Sequence, residues 1–374
     1  MKTRRDFLAA AAVTAAAITL DPLAGRAQQQ DNGAPRLAGG AIPTNPPSAD
    51  GHYRPPYRFG LGGVAIGTGF APITGEQSDE VMRAAWGAGV HYFDTSPWYG
   101  LGLSERRMAH VLADQKRDEY VISTKIGRLL SPTDEPPKTM WKAPSPFSFR
   151  YDYTADGTRR SIEDSLQRMG LPRIDIAFIH DLSPDHFGDQ WTEKFDEAAK
   201  GAIPTLTRMR EEGTINAWGF GVNNIEPCLR ALEEADPDIF LLATQYSIVY
   251  HENALNQLFP KCDERGVSIV VGAPLNSGFL AGKDRYNYRP QIPPEIQEKA
   301  AKISTLANEH GTDLRTAALQ FCNAPKVVSA VIPGASSGTQ VIENSRSIAT
   351  RLPKEFWTAL KDRKLIAENA PTPA

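Results

Sequence analysis

The sequence predicts an α/β fold, a (β/α)8 TIM barrel in a single domain behind an N-terminal signal and linker. Short apolar runs alternate with amphipathic stretches along nearly the whole chain, and there are eight such runs: 59–66, 90–93, 120–125, 174–180, 215–222, 239–244, 267–272 and 327–332. Each is almost continuously apolar, as a strand covered on both faces must be. Helical patterns at 78–88, 158–169, 198–212 and 255–265 fall between them. Such alternation implies a parallel sheet, and eight repeats without the order signal of an open dinucleotide-binding sheet favour closure.

Two connections are long, 127–156 after the third run and 273–326 before the eighth. Long loops in compact domains are usually functional, and both leave the C-terminal end of a strand, where barrel enzymes build their sites. The first is aromatic, with Trp141, Phe147, Phe149, Tyr151 and Tyr153, which suits either packing on the rim or a lid over a substrate. The string from Gly60 to Ala65 matches a GxGxxA pattern but lacks the context of a dinucleotide fingerprint, and is read as first-strand glycine.

The first 27 residues differ in kind. Arg4-Arg5-Asp6-Phe7-Leu8 leads into an alanine-rich apolar run ending at Leu20, and Gly25-Arg26-Ala27 offers a cleavage site. This resembles a twin-arginine export signal; the run is too short to span a bilayer, which needs about 20 residues. The expected partner is the twin-arginine export machinery, and the expected location periplasmic or exported. Residues 28–56, rich in Gln, Gly, Pro, Asn and Ser, read as a linker, 57–365 as the barrel and 366–374 as a tail. Removing Lys2, Arg4, Arg5 and Arg26 with Asp6 and Asp21 takes away +2, so the net charge moves from −3 to −5.

With 41% hydrophobic and 23% charged residues and no basic block in the body, the composition gives little reason to expect a nucleic-acid partner or a stable membrane span. Cys228, Cys262 and Cys322 show no metal-like spacing and read as small buried residues; the seven histidines form no paired-ligand motif, so no metal is expected.

The chemistry lies at strand ends. Asp94 and Tyr99 close the second run, Lys125 the third and His180 the fourth, so a barrel brings the four to one rim. Lys125 at the end of an apolar run needs a carboxylate, and Asp94 is the partner to expect. An ammonium near a phenol lowers its pKa, making Tyr99 the proton donor or acceptor, while His180 orients the reacting oxygen. Trp98 and Trp141 are the candidate substrate contacts.

Asp-x-x-x-x-Tyr, then Lys, then His at successive strand ends is similar to the aldo-keto reductase superfamily. Gly221-Val222-Asn223, Ile332-Pro333-Gly334 and Glu343-Asn344 extend the resemblance over about residues 57–350. The stretches from Gly102 to Arg107, from Ser123 to Leu130 and from Asn276 to Gly278 resemble the D-threo-aldose (L-fucose, D-galactose) 1-dehydrogenase branch. The resemblance implies hydride transfer between a nicotinamide cofactor and a sugar or aldehyde carbonyl. It places Asn223 and Gln245 at the carboxamide, Gly334, Ala335, Ser336 and Ser337 near the phosphates, and Gln340 and Asn344 near the adenine. A helix opening after the eighth strand is a suitable anion site. No Arg or Lys lies between Gly334 and Ser345, which favours NAD over NADP. The family's nicotinamide-stacking tyrosine falls near Gly272 here. Two other readings stay open: an exported glycoside hydrolase, which needs two free carboxylates about 5 to 10 Å apart, and a cofactor-binding barrel without turnover.

Overall fold

The computed structural model describes residues 41–47 and 52–373; the expected export signal, 1–27, lies outside them. Among the described residues ten strands occur: β1 (Leu61–Gly62), β2 (Tyr92–Asp94), β3 (Val121–Ile126), β4 (Arg128–Pro132), β5 (Phe147–Tyr151), β6 (Ile174–His180), β7 (Ile215–Val222), β8 (Ile239–Ala243), β9 (Ser268–Gly272) and β10 (Val328–Ile332). Eight form a parallel sheet in the order β1-β2-β3-β6-β7-β8-β9-β10, and β4 pairs with β5 in a separate hairpin. Parallel bridges Phe59–Val331 and Gly62–Gly334 return the last strand to the first and close the barrel.

Register places the site. Asp94 lies opposite Ser123, Lys125 opposite Phe178, and His180 opposite Gly221, so β2, β3 and β6 end near one level. Side chains such as Tyr92, Ile176, Phe178 and Val270 fill the barrel interior, which is a packed core and no pore. A larger apolar layer, including Phe93, Trp218, Phe220 and Phe321, seals the strands against the helices.

All eight predicted strands are present, though β1 is reduced to two residues plus the Phe59 bridge. The helices differ more from expectation. The pattern at 198–212 is two helices, Trp191–Lys200 and Ala202–Glu211, separated by Gly201. A Cβ on Gly201 would lie 2.7 Å from the Tyr153 carbonyl oxygen, and the Ala202 amide donates to that same oxygen at 3.0 Å. Close approach of a neighbouring backbone therefore breaks the helix where only glycine fits. The 255–265 pattern begins as a π turn, Ala254–Leu258, before the helix Phe259–Arg265. Pro260 lacks an amide hydrogen and cannot sustain ordinary helical bonding there.

Neither long connection is a bare loop. The first carries the β4–β5 hairpin, and the second contains helices Pro294–Glu309 and Leu314–Asn323. Ala300, Ile303, Leu306 and Ala307 are buried at helical spacing, a pattern hidden in sequence by the surrounding polar residues. The end of the expected linker also packs: Asn45 is buried and its Nδ2 donates to the carbonyls of Pro55 (2.6 Å) and Ser329 (2.7 Å). The tail does likewise, with Ile366 and Ala370 buried. All three cysteines are free and buried. No helix among the described residues is long and apolar enough to cross a membrane.

Candidate active site

Asp94 and Lys125 form a fully buried ion pair, 2% and 1% exposed. Lys125 Nζ donates to Asp94 Oδ1 (2.9 Å), Asp94 Oδ2 (2.8 Å) and the Thr95 carbonyl (2.8 Å), which uses all three of its protons. Ser123 Oγ donates to Asp94 Oδ1 at 2.7 Å. Burial pushes the carboxyl up and the ammonium down, and the mutual attraction opposes both shifts. The cation lies over the Tyr99 ring, 4.6 Å from its centroid. The net shift of the phenol is nonetheless upward, opposite to the expectation. Burial and then the Asp94 charge push Tyr99 well above its ordinary value of 10.0, so the hydroxyl holds its proton at neutral pH.

His180 faces Tyr99 edge-on, with ring centroids 5.8 Å apart. Its Nδ1 lies 3.1 Å from Ser96 Oγ and 3.3 Å from Arg128 Nη1. Burial, then the charges of Arg128, Lys125 and His186, push its pKa well below 6.5, so the imidazole is neutral. Arg128 also pairs with Asp181 at 2.8 Å and is capped by Trp98 and Tyr151, whose ring centroids lie 4.7 and 4.8 Å from the guanidinium carbon. Beyond Asp181, His186 Nε2 lies 3.3 Å from its Oδ2, and Asn223 Nδ2 donates to Asp185 Oδ2 at 3.1 Å.

Two clefts meet at Tyr99. One, of about 1080 Å³, runs from Asp94 and Tyr99 past Gly272 and Pro274 to Ile332–Ser336, Gln340 and Asn344. The other, of about 870 Å³, is lined by Trp98, Lys125, Trp141, His180, Asp181, His186 and Asn223. Val64, Leu241, Ala243 and Tyr288 line both. The first has the volume and the lining chemistry for a dinucleotide. Its far end opens on the N-terminus of helix Gly338–Ala349, capped by Ser337, and Lys283 and Arg285 add positive charge. Gln340 Oε1 accepts from the Ser336 amide at 2.9 Å, which ties that turn in place.

The aldo/keto reductase family model matches residues 58–364, which include every strand of the barrel sheet. The chain belongs to the aldo/keto reductase family. It is 34% identical to a D-threo-aldose 1-dehydrogenase of Pseudomonas sp over 84% of this chain and 95% of that one. It is 32% identical to a pyridoxal 4-dehydrogenase of Microbacterium luteolum over 83% and 94%. Among solved structures, a glycerol dehydrogenase from Gluconobacter oxydans superposes with a TM-score of 0.63 at 22% identity, covering 90% of this chain and 98% of that one. This aldo/keto reductase is accordingly an NAD(P)-dependent oxidoreductase acting on CH–OH and C=O groups.

When bound, the nicotinamide supplies or accepts the hydride. The protein's own residues are placed to handle the oxygen: at the meeting point of the clefts the Tyr99 O–H can donate a proton to a carbonyl oxygen, and neutral His180 can hydrogen-bond it. Asp94 and Lys125 hold a fixed buried dipole under the Tyr99 ring. The hydrolase alternative loses its chemical basis here, because the two rim carboxylates, Asp94 and Asp181, are each neutralised by a cation.

Of the residues singled out in sequence, Trp98, Trp141 and Asn223 line the second cleft, and Gly334, Ala335, Ser336, Gln340 and Asn344 the first. Ser337 serves as the helix cap, and Gln245, half-buried after β8, lies on neither cleft's lining. Sequence reasoning missed Arg128, Asp181, Ser96 and Tyr288. Asp181 had a signal, an acid directly after His180, and its backbone is left-handed (φ 51). Tyr288 had none, since it comes from the 273–326 connection.

Proposed function

We propose that this enzyme is an aldose 1-dehydrogenase that oxidises the anomeric hydroxyl of a cyclic sugar to a lactone, with NAD as hydride acceptor. The second cleft carries this reading. It sets the aromatic wall of Trp98 and Trp141 against the polar groups of Asp181, His186 and Asn223, with Tyr99 and His180 on its lining. That combination suits a sugar ring, apolar on one face and hydroxylated at its edge. Trp141 adds a buried indole N–H with no partner among the described residues. The similarity to a D-threo-aldose 1-dehydrogenase supports the same substrate class.

Support for NAD rests on Glu343. It lines the first cleft and accepts from Arg315 Nη1 at 2.6 Å, so an arginine of that cleft already faces a carboxylate. A 2′-phosphate there would meet an acid. Mixing the enzyme with NAD or NADP and a panel of aldoses, pyridoxal and simple aldehydes tests both points. Reduced nicotinamide should form with aldoses and faster with NAD; silence across the aldoses would overturn the substrate class.

We further propose export of the folded chain by the twin-arginine route with its cofactor aboard. Arg4 and Arg5 ahead of the apolar run support this. Arg4→Lys with Arg5→Lys should leave the protein in the cytoplasm on fractionation, while the parent chain reaches the periplasm carrying bound nucleotide. Equal periplasmic yields would end the proposal.

A further inference from the structure

Arg128 is a buried cation next to a catalytic-site imidazole, and nothing in the proton chemistry above uses it. Its position is specified by the backbone. Gly127 sits at φ 107, and a Cβ there would lie 2.4 Å from Tyr153 Cε1. The turn between β3 and β4 thus demands glycine, and it delivers Arg128 inward. Tyr153, the residue that forces the turn, also donates its hydroxyl to the His180 carbonyl at 2.9 Å. The guanidinium is 2% exposed; its two terminal nitrogens meet Asp181 at 2.8 Å and the Tyr151 hydroxyl at 3.1 Å and the Trp98 ring lies 4.7 Å away, while its Nε is buried without a hydrogen-bond partner among the described residues.

We propose that Arg128 is a positioning residue that fixes the tautomer of His180. The argument is one of polarity. Ser96 Oγ, 3.1 Å from Nδ1, can donate or accept, so by itself it leaves the ring free to take either tautomer. Arg128 Nη1, 3.3 Å from the same nitrogen, can only donate, because a guanidinium has no acceptor and keeps its protons. Nδ1 must therefore be bare and Nε2 protonated. Nε2 lies 3.5 Å from Asp181 Oδ1, too long for a good hydrogen bond, so its proton remains available to a substrate oxygen. The guanidinium would also repel a second proton on the ring. The charged and titratable groups facing His180 are Lys125 from β3, Arg128 from β4, Asp181 and His186 after β6, and Tyr99 after β2. Three of these are cationic or can become so, and Asp181 is occupied by Arg128.

The proposal rests on His180 meeting the substrate oxygen, and the experiment separates the two. Nitrogen-15 histidine spectra of the full chain should show His180 with protonated Nε2, bare Nδ1 and no titration near neutral pH. In Arg128→Met with Asp181→Asn, which removes both charges of the buried pair, His180 should become a tautomer mixture and titrate closer to pH 6.5, the ordinary histidine value. Turnover should fall by roughly ten- to a hundredfold while NAD affinity, read by fluorescence, stays unchanged. Arg128→Lys, which keeps a cation opposite Asp181, should restore part of both signals and serves if the double variant does not fold. A pure Nε2–H tautomer in the double variant, or undiminished turnover, overturns the proposal. His180→Asn tests the underlying reading: full activity there would remove His180 from the chemistry, whatever its spectrum shows.

Discussion

In the role of proton donor and acceptor proposed for it, Tyr99 has to change protonation with the direction of reaction, and its environment sets the sign. Burial and Asp94 raise its pKa well above 10.0, so the proton needed for carbonyl reduction is present throughout the neutral range. Oxidation needs the same hydroxyl to accept a proton, which requires the scarce phenolate. Oxidative turnover should therefore climb from about pH 7 to about pH 9 while reductive turnover stays nearly level, a contrast that initial rates in both directions would reveal. Tyr99→Phe should lose roughly 10²- to 10⁴-fold in turnover in either direction with nucleotide binding intact. Asp94→Asn strands the Lys125 ammonium in a fully buried site. Removing one member of such a pair costs about 3–5 kcal/mol, so the urea midpoint should drop sharply; an unchanged midpoint would mean the pair is not the electrostatic unit described. Asp94, Tyr99, Lys125 and His180 were legible in sequence because a titratable side chain at or just after the close of an apolar run requires an explanation. What the pattern could not give was orientation. Lys125 spends every proton on Asp94 and Thr95, so the ammonium expected near the phenol meets its ring face.

The segment after β6 shows how an element can be stabilised by the groups that line the site. Burial would raise the Asp185 carboxyl, but hydrogen bonds from His186, Ser183 and Asn223 outweigh it and lower the pKa from 3.8 to about 2. A depressed acid contributes its stability above the unfolded value and loses it as pH falls through the folded one. The window is thus between 3.8 and about 2, and its worth, discounted for partial exposure, is about 1–2 kcal/mol. Asp185→Asn should lower the urea midpoint at neutral pH and flatten its fall across that acid window. A parallel acid titration of variant and parent would contradict the assignment. Elements with strong local signals were read well, as with the eight strands and the helix Ala155–Met169 between its Thr154 cap and Gly170. Breaks imposed from outside were not: Gly201 splits a helix only because the Tyr153 backbone lies against it. The same holds for the β4–β5 hairpin, whose aromatic run acquires meaning once Trp98 and Tyr151 are seen to enclose Arg128.

Across the whole molecule, the barrel could be inferred from eight apolar repeats because a parallel sheet leaves a periodic trace in sequence. The cofactor cleft could be inferred only in part, because it is assembled from distant segments. Gly272, Lys283, Arg285, Arg315 and Glu343 line one cleft although they are spread along the chain from 272 to 343. Reading the segment from Gly334 to Ser345 alone pointed to NAD by a missing cation; the assembled cleft contains cations, and the proposal of NAD rests instead on Glu343 beside Arg315. This relation has a thermodynamic consequence. A nucleotide spanning that cleft ties β9, β10 and the helix Gly338–Ala349 together in the native state and has no comparable site in the unfolded chain. Stability should rise with ligand as RT ln(1 + [L]/Kd), about 2.7 kcal/mol at a concentration 100 times Kd. NAD and NADP differ by one phosphate, so at equal saturating concentration the difference between their stabilisations reports the ratio of their affinities, about 1.4 kcal/mol for a tenfold preference. Urea unfolding with each nucleotide should show the larger gain with NAD, and Glu343→Gln should narrow the gap by leaving Arg315 free to pair with the phosphate. Equal gains in the parent protein, or a gap untouched by Glu343→Gln, would remove Glu343 as the determinant of cofactor choice.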